Sequence, residues 1–255
     1  MQLEIISLIY KSPAYLKHIV EEMQNAISDL PDSEKGIVGI RVVANDPSPE
    51  VAAALPLCGV PYSIYNDRNP EDYYLNRVYR AWNYAGMISK ASLIVFVNSD
   101  MVFHDGWLRG LLDCYSIFSG KVIPCSLLVE SGNLKPSWPA MEYDCGKTLE
   151  SIDRDKFAQI ADKISPRILY RGGLFMPCIL HQSLFDPSHL DYLPYPEGNI
   201  YEGGIGAHGT KFLESGDAWY FRKLNEKYGL THITTSDSIC YHLQEGEKSC
   251  NLDLL

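Results

Sequence analysis

The sequence predicts an α/β fold, a mostly parallel central sheet flanked by helices. Three observations predict it. Apolar runs such as "LEIISLIY" (Leu3 to Tyr10) and "LIVFVN" (Leu93 to Asn98) show no polar/apolar alternation, which is how strands covered on both faces read. In the N-terminal half such runs alternate with helix-like segments at the spacing of βαβ units. Three of them end on polar clusters, Tyr10-Lys11-Ser12, Asn45-Asp46 and Asn98-Ser99-Asp100. Parallel sheets take ligands beyond the carboxyl ends of their strands, so these clusters are the first candidates for function.

The elements follow in order. "LEIISLIY" is a buried strand, and Ser12-Pro13 supplies an N-cap and a first-turn proline for a helix reaching about Leu30. "GIVGIRVVA" (Gly36 to Ala44) is the second strand and "YSIYN" (Tyr62 to Asn66) a short third. From Glu71 to Ser89, Leu75, Val78, Trp82 and Ala85 share one helical face. "LIVFVN" is the fourth strand, and Asp105-Gly106 reads as the start of the next helix with Asp105 as its cap. Further on, "DRDKFAQIADKI" (Asp153 to Ile164) is an amphipathic helix and "GGLFMPCIL" (Gly172 to Leu180) a strand. Asp186 to Glu214 is rich in Pro, Gly and Tyr without periodicity, and it reads as a long functional loop. "SGDAWYFRKLNEKYG" is a helix stopped by Gly229, and "HITTSDSICYHL" ends the fold as strand.

With 46% hydrophobic and 21% charged residues, the chain of 255 residues can bury a large core. A formal charge of −10 argues against a binder of duplex nucleic acid, which needs a basic face. Seven cysteines without a C-x-x-C pair predict reduced thiols. No run approaches the ~20 apolar residues of a membrane span, and "LEIISLIY" is too short and poorly flanked for a signal peptide. A cytoplasmic location is the expectation.

A carboxylate at the end of a buried parallel strand, as Asp100 is, can bind a hard divalent cation that bridges two phosphates. "GIGAHG" (Gly204 to Gly209) matches G-x-G-x-x-G, but it follows "PYPEGNIYEG" rather than a strand, so it reads as a loop. His104, His181, His189, His208 and His232 lack metal spacing and read as satisfied or surface residues. Tyr73, Tyr74, Tyr192, Tyr195 and Tyr201 are of a type that stacks on sugar rings, although most of 17 tyrosines must serve packing. Trp138 and Trp219 are open in the same way.

These residues resemble a family. "IVFVNSDMVFHDGWLRGLL" looks like the strand and D-x-D segment of GT-A fold nucleotide-sugar glycosyltransferases of the family 2 type. "IISLIYKSPAYLKHIVEEM", "RVVANDPSPE" and "RAWNYAG" resemble the segments that precede it in those enzymes. "GGLFMPCILHQSLFD", "ESGDAWYFRKL" and "ICYHL" resemble those that follow, and the matches span roughly residues 3 to 243. Asn98 and Asn45 stand where the family commonly has acids, and Gly216 where it usually has Glu.

The resemblance implies a single Rossmann-like GT-A domain over residues 1–255. Residues 1–130 would bind the nucleotide sugar, and 131–255 would bind the acceptor and carry catalysis. It implies transfer of a sugar from a nucleotide-diphosphate donor to a glycan or other hydroxyl acceptor, with inversion. A divalent cation, Mn²⁺ or Mg²⁺, would be held by Asp100 with His242 as second protein ligand. Tyr10, Asn45 and Asp46 would meet the nucleoside, Asn83 and Asn98 the donor pocket, and Gly173 the acceptor-side strand. Asp217 would be the general base, kept ionised by the helix N-terminus, with Glu214 the next candidate. Two other classes stand beside this one. One is a noncatalytic relative that binds a sugar nucleotide or glycan; the other is a nicotinamide-dependent oxidoreductase resting on "GIGAHG". A sugar nucleotidyltransferase would need a glycine-rich N-terminal loop, and "SLIYKSPAYL" has no glycine.

Overall fold

The computed structural model describes residues 2–132, 139–164, 166–173, 176–196, 200–205, 211–214 and 216–244, with 200–205 and 211–214 described by backbone alone. Strand β1 (Leu3–Ile9) passes into helix α1 (Pro13–Ser28) through Ser12, whose hydroxyl accepts from the Tyr15 N–H with Pro13 in the first turn. A one-turn helix α2 (Asp32–Lys35) precedes β2 (Val38–Asn45). Ser48 caps α3 (Pro49–Ala54) in the same way, ahead of β3 (Tyr62–Tyr65) and α4 (Tyr74–Ile88). Then come β4 (Leu93–Asn98), β5 (Met101–Phe103), α5 (Trp107–Ile117) and β6 (Val122–Glu130). The C-terminal part adds β7 (Met141–Glu142), α6 (Arg154–Ala161), β8 (Leu169–Arg171) and β9 (Cys178–His181). Strands β10 (Ile200–Ile205) and β11 (Lys211–Glu214), helix α7 (Gly216–Tyr228) and β12 (Thr231–His242) complete it.

The main sheet has ten strands in the order β3-β2-β1-β4-β9-β6-β12-β5, with β7 beside β6 and β8 beside β12. Strands β3, β2, β1 and β4 run parallel. Strand β9 runs against both β4 and β6, so β6 and its parallel neighbour β12 point the same way as β1. Carboxyl ends from both parts of the chain therefore meet at one edge.

Successive residues of β4 explain why its sequence does not alternate. Leu93, Val95 and Val97 enter the core under α1, α3 and α5, while Ile94 and Phe96 enter the core under α4 and α7. Both faces are covered, so both sets of side chains must be apolar. Among the described residues no helix is long and apolar enough to cross a membrane.

Three expectations are corrected. The cap of α5 is Gly106 in the left-handed conformation (φ 74°), with no side-chain cap bond, so Asp105 does not cap the helix. The Asp186 to Glu214 segment is not loop throughout, because β10 and β11 pair as an antiparallel hairpin. Gly204 lies in β10 of that hairpin, not in a strand-to-helix turn, which removes the dinucleotide reading of "GIGAHG". Residues 206–209 of that motif lie outside the described residues.

Candidate active site

Two residues past β4 the chain reverses at Asp100 and returns as β5, antiparallel to β12, with Met101 level with His242. His242 in turn is level with Glu130 on β6. The reversal brings the Asp100 Oδ2 to 3.4 Å from His242 Nε2, while His242 Nδ1 lies 2.9 Å from Glu130 Oε1. Burial alone would depress the imidazole, but the Asp100 and Glu130 carboxylates outweigh it and raise His242 to about 10. A carboxylate that holds the far nitrogen of a histidine is the usual way to orient a metal-binding imidazole.

Among the described residues no group of three or more His, Cys, Asp or Glu is placed to hold a metal by itself. Asp100 and His242 offer one carboxylate and one imidazole. That donor set fits a cation that completes its shell with phosphate oxygens and water. Because His242 carries a proton in the unliganded arrangement, cation binding there must release one.

On the other side of β1, Asp46 has a left-handed backbone (φ 45°). Its Oδ1 accepts from the Asp67 N–H at 2.7 Å, and its Oδ2 accepts from Arg77 Nη2 at 2.6 Å. Arg77 also reaches the Tyr10 hydroxyl at 3.4 Å, with its guanidinium 5.6 Å from the Tyr10 ring. Both Asp46 oxygens are thus engaged, and its first task here is to orient Arg77 and the Asp67 turn rather than to face a nucleobase. Asn45 differs. It is 4% exposed and its buried Oδ1 finds no hydrogen-bond partner among the described residues, so an acceptor is available at the end of β2. Asn98 ends β4 half-buried, level with Leu8 of β1.

Asn83 is engaged by the backbone of another segment. Its amide donates to the Tyr195 carbonyl at 2.9 Å and its Oδ1 accepts from the Tyr195 N–H at 2.7 Å, a bidentate clamp on another segment's backbone. Gly173 is placed apart. A Cβ there would meet Thr234 Oγ1 at 2.0 Å, so the glycine serves a close backbone approach to β12. Thr234 is level with Cys125 of β6 and His242 with Glu130, five residues further along that strand (130 − 125), a separation of roughly 16 Å. Gly173 instead lines a cavity of about 340 Å³ with Phe221, Arg222 and His232.

Asp217 enters at the start of α7, where Tyr79 of α4 donates its hydroxyl to Oδ2 at 3.2 Å. Burial raises the carboxyl to about 6 against the opposing effect of that hydrogen bond. The helix N-terminus therefore does not keep it in the ordinary carboxylate range; desolvation is the larger effect. The Tyr79 ring lies parallel to Tyr195 (5.7 Å, 2°), which in turn stacks on Tyr220 (3.9 Å, 22°). Tyr195 is thus core rather than a sugar platform. The Glu214 side chain, His208 and Trp138 lie outside the described residues. His104 pairs with Asp162, His181 with Tyr115, His189 with Asp191 and His232 with Cys125, as satisfied histidines do.

Glu130, Arg77 and Tyr79 are the residues that sequence reasoning passed over. The signal for Glu130 was present, since "VIPCSLLVE" is a nine-residue buried run ending on an acid, like the strand before Asp100. Tyr79 had none, because its partner lies 138 residues away.

No family model and no curated protein matches this chain. Among solved structures it is similar to S. aureus TarS 1–349, with a TM-score of 0.54 and 15% identity over 95% of this chain and 60% of that one. The fold is GT-A. A mycobacterial protein is also similar, with a TM-score of 0.49 and 15% identity over 94% of this chain and 67% of the other. The chain spans about 60% of the TarS structure it matches. In GT-A terms the Asp100 and His242 edge is the carboxyl edge of the central sheet, and α7 carries Asp217 on the face shared with α4.

Proposed function

We propose that this chain is a glycosyltransferase that moves a sugar from a nucleotide-diphosphate donor to a glycan or other hydroxyl acceptor, with inversion. The observation that carries the reading is the meeting of Asp100 and His242 at the carboxyl edge of a GT-A sheet, with Glu130 behind the imidazole. Those two residues would hold Mn²⁺ or Mg²⁺, which when bound supplies positive charge to the diphosphate. Tyr10, Arg77 and the unpartnered Asn45 Oδ1 form the nucleoside side, with Asp46 holding Arg77 in place. Asn98, at the end of β4, lies between that side and Asp100.

Asp217 is the base. The acceptor O–H bond breaks, its proton passes to the carboxylate, and the oxygen attacks the anomeric carbon from the side opposite the diphosphate. The bond from the anomeric carbon to the diphosphate breaks, the diphosphate leaves with its electron pair, and attack from the opposite side inverts the centre. A carboxyl near 6 is mostly ionised above pH 7 yet basic enough to take a proton, the balance that general-base catalysis favours.

Calorimetry with uridine and guanosine diphosphates tests the cation. Binding of one of them is expected to be tighter with Mn²⁺ than with chelator by about 10-fold or more, and Asp100→Ala is expected to abolish the difference. Equal affinity in both conditions removes the cation from the mechanism.

A further inference from the structure

We infer that Tyr79 is the positioning residue of the base: its hydroxyl occupies Oδ2 of Asp217 and leaves Oδ1 to take the acceptor proton. The inference rests on the reading of Asp217 as the base and adds which oxygen acts and what holds it. Three features place Tyr79 where only a specific contact would put it. Its hydroxyl lies 3.2 Å from Oδ2, a bond across 138 residues between α4 and α7. The residue before Asp217 is glycine, and a Cβ at Gly216 would meet the Tyr79 ring at 2.3 Å, so the start of α7 is shaped to admit that ring. The ring also lies parallel to the Tyr195 ring, whose own backbone is clamped by Asn83 one helical turn along α4.

The neighbouring tyrosines show that this hydrogen bond is not the common fate of a hydroxyl in this cluster. Tyr195 and Tyr220 are both buried with hydroxyls that find no hydrogen-bond partner among the described residues. Tyr79, at 2% exposure, is the one of the three that reaches a carboxylate. Burial first, and then the Asp217 charge, raise the Tyr79 phenol, so it stays a donor at any working pH. The groups facing the carboxylate are Tyr79 from α4 and Tyr195 from the segment after β9, with Cys178 and Cys125 next to Tyr195. No cation among the described residues pairs with Asp217, so Tyr79 is the group that favours its ionised form. A donor held to one oxygen both fixes the carboxylate plane and directs the other oxygen's lone pairs outward.

Tyr79→Phe keeps the ring, the stack and the fit against Gly216 and removes only the hydroxyl. Thermal melting checks its fold, and two readouts test the role. In the pH profile of kcat the acidic limb is expected to move up by about one unit, with turnover at pH 6 reduced about fivefold and donor KM unchanged within about twofold. Carbon-13 titration of the Asp217 carboxyl, which needs no turnover, is expected to move up by the same amount. Tyr220→Phe, which removes an unpartnered hydroxyl in the same stack, is expected to leave both unchanged. A wild-type profile and titration in Tyr79→Phe, with Asp217→Asn inactive, overturn the positioning role alone. Retained turnover in Asp217→Asn overturns the base reading and this inference together.

Discussion

At the scale of single residues, Asp217 stores a conflict between folding and chemistry. Its carboxyl is raised from the ordinary range to about 6, so the native state holds a proton that the unfolded chain has released near 4. The stability this contributes is present below about pH 4 and falls as pH rises through 6, because the native state binds more protons across that window. Asp217→Asn cannot ionise, so its stability should not fall there. At pH 8 the variant is expected to be more stable than wild type by at most about 3 kcal/mol, and by less to the extent that the half-buried carboxylate keeps water. Urea denaturation at pH 4.5 and pH 8 measures it. Equal pH dependence in the two proteins would show that Asp217 titrates as an ordinary acid. Residues differ in how plainly they read. Asp100 was legible because a lone acid ended a buried strand, and His242 because "ICYHL" resembles the strand that carries a histidine in GT-A enzymes. Asn83 and Asp46 were legible through the resemblance as donor-side candidates but not in their partners, which are the Tyr195 backbone and Arg77. Nothing local in a sequence names a partner so distant.

At the scale of elements, α4 is a strut rather than a covering helix. Arg77 reaches Asp46 and Tyr10, Arg80 reaches Asp67 and Asp72, Tyr79 reaches Asp217, and Asn83 reaches Tyr195. One helix thus ties the proposed nucleoside side to the proposed base. Burial is the largest single influence and would raise the Asp67 carboxyl, but the Arg80 hydrogen bonds, the Asn69 N–H and the charges of Arg80 and Arg77 together outweigh it and hold it below its ordinary value. The Asp67 side chain is 0% exposed and its Arg80 partner 7%. Removing the guanidinium leaves a buried charge alone, so Arg80→Ala is expected to cost about 3–5 kcal/mol in chemical denaturation. Arg109→Ala breaks ion pairs whose arginine is 42% exposed and is expected to cost under about 1 kcal/mol. Equal losses would mean that the α4 pairs are no more buried than surface ones. The elements that read poorly have physical reasons. The hairpin strand "IYEGGI" has glycines where alternation would show, and β5 is three residues long and exists only because β12 pairs with it.

At the scale of the whole molecule, the sheet was legible because continuous apolar runs require two covered faces, and both faces are covered. The strand order was not. Placing β9 between β4 and β6 joins residues far apart in sequence, and the apolar runs carry no label for their neighbours. The candidate site inherits that division: its acids are visible along the chain, while its assembly depends on β12 returning between β6 and β5. An acidic chain of charge −10 that brings carboxylates to a sheet edge needs positive charge there to receive a diphosphate. The most direct test of the account is release of nucleoside diphosphate from a panel of nucleotide sugars in the presence of Mn²⁺, with wild type measured beside Asp217→Asn. The account predicts that at least one donor is turned over, slowly to water when no acceptor is supplied, and that Asp217→Asn loses about 10²-fold or more of that rate while still binding the donor. A donor that binds with Mn²⁺ but is released intact by the wild-type protein would contradict it, leaving a protein that holds nucleotide sugars without transferring them.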